Sequence, residues 1–128
     1  MPSRKIEDLV PAMQLRALRF AGAMASAGIP FMFTCTRRSI AEQLELYAQG
    51  RTKPGPKVTW VQHSKHQDGL AFDIAILKNG KPTWETKVDV NEDDLADYEQ
   101  AGIIGESLGL RWGGRFKTRD LPHFELAP

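Results

Sequence analysis

The stretch Leu70-Ala-Phe-Asp-Ile-Ala-Ile-Leu77, followed by Lys78-Asn-Gly-Lys81, decides how the rest of the chain is read. Leu70, Phe72, Ile74 and Ile76 fall on one face of an extended strand, and Ala71, Asp73 and Ala75 on the other. Asn-Gly suits the centre of a type I′ turn, so the chain is expected to return antiparallel over roughly Pro82 to Val88. Asp73 is out of place here, because aspartate is disfavoured mid-strand and a buried unpaired carboxylate is costly. Its neighbours on that face are both alanine, which leaves open space around the carboxylate.

Working outward, Ile6, Leu9, Val10, Met13, Ala17, Ala21 and Met24 recur at helical spacing. Pro11 is tolerated early in this helix or marks its true start, and Gly28 and Pro30 end it. Phe31 to Thr34 reads as a short strand. Ser39-Ile-Ala-Glu42 is a capping-box pattern opening a second helix, with Ile40, Leu44, Tyr47 and Ala48 on one face and Gly50 as its stop. Asn91 is expected to cap a third helix that carries Leu95, Tyr98, Ile104 and Leu108 and ends at Gly109. Leu110 to Leu126 reads as two short strands around a Gly-Gly turn and a polar loop. The order predicts an α+β domain, a small antiparallel sheet flanked by about three helices, with residues 1–128 forming one domain.

Composition narrows the function. A 41% hydrophobic fraction is that of a soluble globular domain, and 128 residues suffice for one core. Seventeen basic and sixteen acidic residues give a net charge of +1, which argues against broad phosphate neutralisation and hence against nucleic acid as partner. The single cysteine, Cys35, cannot form an internal disulfide. No run approaches the roughly 20 apolar residues of a membrane span, so no membrane insertion is expected. The N-terminus lacks the apolar run of a signal peptide, so the expected location is a cytoplasm.

His66 lies seven residues before Asp73, and Asp68-Gly69 between them can turn the imidazole towards the carboxylate. Taken alone, the two would be a salt bridge or a surface pair. His123 changes this, because the alternation of Leu121-Pro-His-Phe-Glu-Leu126 puts it on the side opposite Phe124, so that both histidines project from sheet elements on the polar side. Two histidines and a carboxylate with one open position are the usual ligand set of catalytic zinc, whereas closed structural sites favour cysteine.

Ser64-Lys-His-Gln-Asp-Gly-Leu-Ala-Phe-Asp73 matches an SxHxxGxAxD pattern, and Asp120-Leu-Pro-His123 places an acidic residue three before the last histidine. On these motifs the chain resembles the VanY-like D-alanyl-D-alanine peptidase superfamily. Arg38-Ser39, Gln43, Leu46-Tyr-Ala-Gln-Gly-Arg51 and Trp112-Gly-Gly114 also fit its L-alanyl-D-glutamate endopeptidase subgroup, which includes phage endolysins. The resemblance covers about residues 30 to 126. It implies one zinc held by His66, Asp73 and His123, with Asp120 as general base and a bacterial peptidoglycan stem peptide as substrate. An endolysin acting as a monomer would wait in the host cytoplasm and then attack the periplasmic wall.

Several assignments stay open at this level. In a straight strand Asp120 would face away from His123 and Glu125 would be the rival base, whereas a bend at Pro122 favours Asp120. Arg38 is a candidate for holding a substrate carboxylate or a developing oxyanion, against a solvated arginine at the start of the helix; Arg37 is a weaker one. Ser64 either orients substrate or caps its loop. Gln43 either supports the site or faces solvent, and His63 reads as a loop residue. Trp60, Trp84 and Trp112 read as core or cleft wall, and Gly113 and Gly114 as a tight turn. Competing functions are a D,D-carboxypeptidase or dipeptidase acting on D-alanyl-D-alanine termini, and a non-catalytic zinc-binding module.

Overall fold

A computed structural model of the chain describes residues 2–59 and 61–128. After one 3-10 turn at Ile6–Asp8, helix α1 spans Pro11–Ala27, with proline in its first turn, where a missing N–H costs nothing. Met13, Ala17, Phe20 and Met24 form its buried stripe, and Gly28 at φ 74 ends it in the left-handed conformation that glycine adopts without strain. Strand β1 is Phe31–Cys35, and helix α2 is Ile40–Ala48, closed at its start by the reciprocal Ser39–Glu42 capping box.

Strand β2, Ala71–Lys78, is the spine of a five-stranded antiparallel sheet. It turns through Asn79 (φ 54) and Gly80 (φ 75) into β3, Lys81–Thr83. Helix α3 is Asp97–Ser107, and β4 (Leu110–Trp112) and β5 (His123–Leu126) complete the fold. The order is β1-β2-β5-β4; β1 lies along one edge of β2, while β5 and β3 share the other edge, end to end. Phe72, Ile74, Ile76 and Phe124 turn to the face covered by α1 and α3, where they join Met13, Phe20, Tyr98 and Trp112 in the core. Gly102 and Gly105 let α3 lie close to the sheet: a Cβ there would come within 2.3 Å of the Trp112 ring and 2.5 Å of the Phe124 ring.

Two expectations need correction. β3 stops at Thr83 rather than running to Val88, because the Tyr98 hydroxyl accepts from the Ile76 N–H (3.2 Å) and donates to the Thr83 carbonyl (2.6 Å), standing where the ladder would continue. Asn91 does not cap α3, which starts at Asp97; its amide instead donates to the Ala27 carbonyl at the end of α1 (2.8 Å). The apolar face of α2 is not buried: Ile40 is 67% exposed and Leu44 46%, while the fully buried side chain is Gln43. This helix stands beside a cleft and is anchored by polar contacts.

Candidate active site

The face of the sheet opposite the core carries Asp73 from β2 and His123 and Glu125 from β5, with Asp73 directly across from His123 and Ala71 across from Glu125. Cys35 joins them through a bulge. β1 pairs Phe33 with Ile74 but Cys35 with Asp73, so one extra residue turns Cys35 from the core face to the Asp73 face. His66 comes from the turn before β2, whose backbone is closed by Gln67 N–H to Ser64 C=O (3.0 Å) and Gly69 N–H to His66 C=O (3.3 Å).

Both imidazoles converge on one oxygen. His123 Nδ1 lies 3.0 Å and His66 Nε2 3.2 Å from Asp73 Oδ1. Burial opposes ionisation of Asp73, but hydrogen bonds from His123 and His66, together with their charge, hold its carboxyl well below the ordinary range. Burial likewise disfavours a charged ring on His66 and His123, yet the bonds to Asp73, reinforced by Cys35 and by Glu125 respectively, raise them to about 9 and about 10. Protons thus neutralise this cluster where a divalent cation would. Zinc–nitrogen and zinc–oxygen bonds of roughly 2.0–2.2 Å set neighbouring ligands about 3.4 Å apart in a tetrahedron. The two nitrogen-to-oxygen separations and the donor chemistry fit such an ion on the Oδ1 side.

Among the described residues, the group whose metal-binding donor atoms all lie within 4.8 Å of one another is Cys35, His66 and Asp73, without His123. The Arg38 guanidinium occupies that side: Nη2 lies 3.7 Å from Cys35 Sγ and 3.9 Å from Asp73 Oδ2. A second cation there would meet a fixed positive charge. Cys35 Sγ faces His66 Nδ1 at 3.4 Å, the nitrogen turned away from Asp73 Oδ1.

Asp120 sits in a bend, not a straight strand. The His123 N–H bonds the Asp120 carbonyl (3.1 Å), and the Asp120 N–H bonds the Gly113 carbonyl (2.9 Å). Gly113 is needed for this closeness, since a Cβ on it would lie 2.2 Å from the Asp120 carbonyl oxygen. The residue is exposed along the cleft wall, yet desolvation of its carboxyl, and then the charge of Asp73, push its pKa up. Glu125 is buried and engaged by His123, Lys65 and Arg111, which leaves Asp120 as the exposed carboxylate among the described residues lining the cleft.

The cleft has a volume of about 780 Å³, and Arg38, Val61, Phe116 and Arg119 contribute to its walls. Arg38 is not a solvated arginine: its Nη1 donates to Gln43 Oε1 (2.6 Å). Gln43 is in turn fixed by its Nε2 to the Val61 carbonyl (2.8 Å) and to Thr59 Oγ1 (3.3 Å), so it supports the site. Ser64 lines the cleft and caps its loop, its Oγ accepting from the His66 N–H (3.2 Å). His63 is a loop residue paired with Asp68 (2.9 Å), and Arg37 is exposed. Trp112 is core; Trp84 is 59% exposed and not part of the cleft, contrary to expectation; Trp60 lies outside the described residues. Sequence reasoning missed the approach of Cys35 to His66, and the engagement of Glu125 by Lys65 and Arg111. The only signal for these was Lys65 inside the motif and Glu125 on the His123 face.

Residues 58–126 match the peptidase M15 family described as D-alanyl-D-alanine carboxypeptidase. The chain is 39% identical over 125 residues to the peptidoglycan L-alanyl-D-glutamate endopeptidase CwlK of Bacillus subtilis, covering 94% of this chain and 75% of that protein. Its fold is similar to the crystal structure of the Serratia marcescens L-Ala D-Glu endopeptidase ChiX, with a TM-score of 0.70 at 23% identity over 99% of this chain and 89% of that one. The chain therefore belongs to the M15 family of D-alanyl-D-alanine carboxypeptidases.

Proposed function

We propose that the protein is a zinc-dependent endopeptidase that hydrolyses the L-alanyl-D-glutamate bond of peptidoglycan stem peptides. The observation that carries the proposal is the convergence of His66 and His123 on Asp73 Oδ1 at the floor of an open cleft, with the Asp120 carboxylate on its wall. His66, Asp73 and His123 would hold one zinc per chain. Bound there, zinc supplies Lewis acidity, polarising a carbonyl and making a water acidic enough to ionise near neutral pH.

The chain's own groups do the rest. The Asp120 carboxylate takes a proton from the attacking water and returns it to the leaving amine, a role that its raised pKa suits. Arg38, clamped by Gln43, holds positive charge beside Asp73, where it stabilises negative charge on the substrate carbonyl or anchors a substrate carboxylate. Lys57, Lys65 and Arg119 also line the cleft, Lys65 paired with Glu125 and Arg119 with Glu99. The curated relative named above, an L-alanyl-D-glutamate endopeptidase, supports the choice of bond. The motifs shared with phage endolysins support a role in host lysis, in which the enzyme would reach the wall from the host cytoplasm.

The family description favours one second reading, removal of terminal D-alanine. Mass spectrometry of digested peptidoglycan separates the two. Cleavage after L-alanine leaves a new D-glutamate amine, whereas carboxypeptidase action shortens the stem by one D-alanine. Zinc-dependent appearance of the first product is expected. Release of D-alanine alone, or digestion unchanged by a chelator, refutes the proposal.

A further inference from the structure

Glu125 is only 6% exposed on the cleft face of β5, and a carboxylate so placed is costly unless it is paired. Its partners are specific. Oε1 lies 2.9 Å from His123 Nε2, and Oε2 lies 3.3 Å from Lys65 Nζ and 3.5 Å from Arg111 Nη1. The His123 ring is thereby held at both nitrogens, Nδ1 towards Asp73 and Nε2 towards Glu125.

We propose that Glu125 is a positioning residue for the metal centre, fixing His123 as the Nε2–H tautomer so that Nδ1 is the ligating nitrogen; this rests on the zinc reading above. A histidine binds a metal only with that nitrogen deprotonated, and a carboxylate on the other nitrogen selects the tautomer, locks the ring plane and makes the ligand a better donor. His66 is arranged in the opposite sense. Its Nε2 faces Asp73 Oδ1, and its Nδ1 faces Cys35 Sγ, a weak acceptor. The charged partner thus belongs to His123 alone, which makes His123 the stronger donor of the two. Lys65 and Arg111 flank Glu125 on its other oxygen. Because Lys65 is the chain neighbour of His66, Glu125 also ties the loop carrying one histidine to the strand carrying the other.

The test compares Glu125→Gln and Glu125→Asp with the wild-type chain by zinc affinity (chelator competition), by the visible spectrum of the cobalt(II)-loaded protein, and by the melting temperature of the metal-free form. Glutamine keeps the size but removes the charge. Aspartate keeps the charge that Lys65 and Arg111 require but withdraws the carboxyl from Nε2. Zinc binding in each is expected to weaken roughly 10- to 100-fold with a shifted cobalt spectrum, while the metal-free melting temperature of the aspartate variant stays near wild type. Should the glutamine variant fail to fold, the aspartate variant decides. A folded variant that binds zinc within about twofold of wild type with an unchanged cobalt spectrum overturns the proposal and leaves Glu125 a structural ion pair. Absence of zinc binding by the wild-type chain would instead bring down the zinc reading itself.

Discussion

Replacing Gly113 by alanine tests whether the bend that presents Asp120 is as tight as it looks. The added Cβ would lie 2.2 Å from the Asp120 carbonyl oxygen and 3.0 Å from His123 Cβ, whereas ordinary contact begins at 3.4 Å. The difference between 3.4 and 2.2 is 1.2 Å, and backbone rather than a flexible side chain must absorb it. The turn from Asp120 to His123 would move outward by about that amount, carrying the proposed base and one proposed ligand together. A displacement of about 1 Å in a catalytic constellation can cost on the order of 100-fold in rate, equivalent to about 2.7 kcal/mol of transition-state stabilisation. Overpacking elsewhere in a fold costs about 1–3 kcal/mol, so the domain is expected to remain folded while its activity collapses. The assay is release of D-glutamate amines from purified muropeptides at saturating zinc, with melting temperature measured in parallel. Activity within about threefold of wild type in a folded Gly113→Ala protein would refute the reasoning, because the turn would then have yielded without moving the groups it carries.

Asp120→Ala is expected to retain zinc while hydrolysis falls by a factor on the order of 10²–10⁴, measured as metal content and peptide turnover on the same sample; surviving turnover would remove Asp120 as the base. Stability should depend on pH in opposite directions with and without metal. His66 and His123 are raised from 6.5 to about 9 and about 10 in the folded metal-free chain, so their pairing with Asp73 stabilises the fold fully below pH 6.5 and is lost as pH rises through 9 to 10. The lowered Asp73 contributes above 3.8 and is lost only in strong acid. Zinc requires the same imidazoles neutral, so the thermal shift it produces should be larger at about pH 8 than at about pH 6. Melting curves with chelator and with zinc at both values check this, and a metal-free protein that gains stability from neutral to alkaline pH would contradict it.

Much of the fold was legible because its signals are local. The capping box at Ser39, the Asn79-Gly80 turn and the alternation through Ile76 each depend on a few adjacent residues. Asp73 was legible for a related reason: a carboxylate within an apolar run stands out against its own strand. What could not be read depends on distant partners. The Tyr98 hydroxyl that ends β3 comes from another element, and so does the Ala27 carbonyl that draws Asn91 away from α3. Whether Gln43 supports the site or faces solvent stayed open because its partners, Val61 and Arg38, lie outside the helix. The bulge that turns Cys35 towards His66 is a feature of strand register, which composition does not encode.

The helix α2, anchored through Gln43 with Ile40 and Leu44 left in solvent, has a consequence for redesign. The proposed ligands ride on β2, on the turn leading into it and on β5, whereas part of the cleft lining is borne by Leu46 of α2 and by Lys57, Val58, Thr59 and Val61 of the loop it grips. That part of the lining can therefore be varied apart from the residues proposed to carry the chemistry. Exchanging residues 44–58 for a segment of another length, with Arg38, Gln43 and its partners Thr59 and Val61 retained, offers a route to new substrate scope on an unaltered reactive floor.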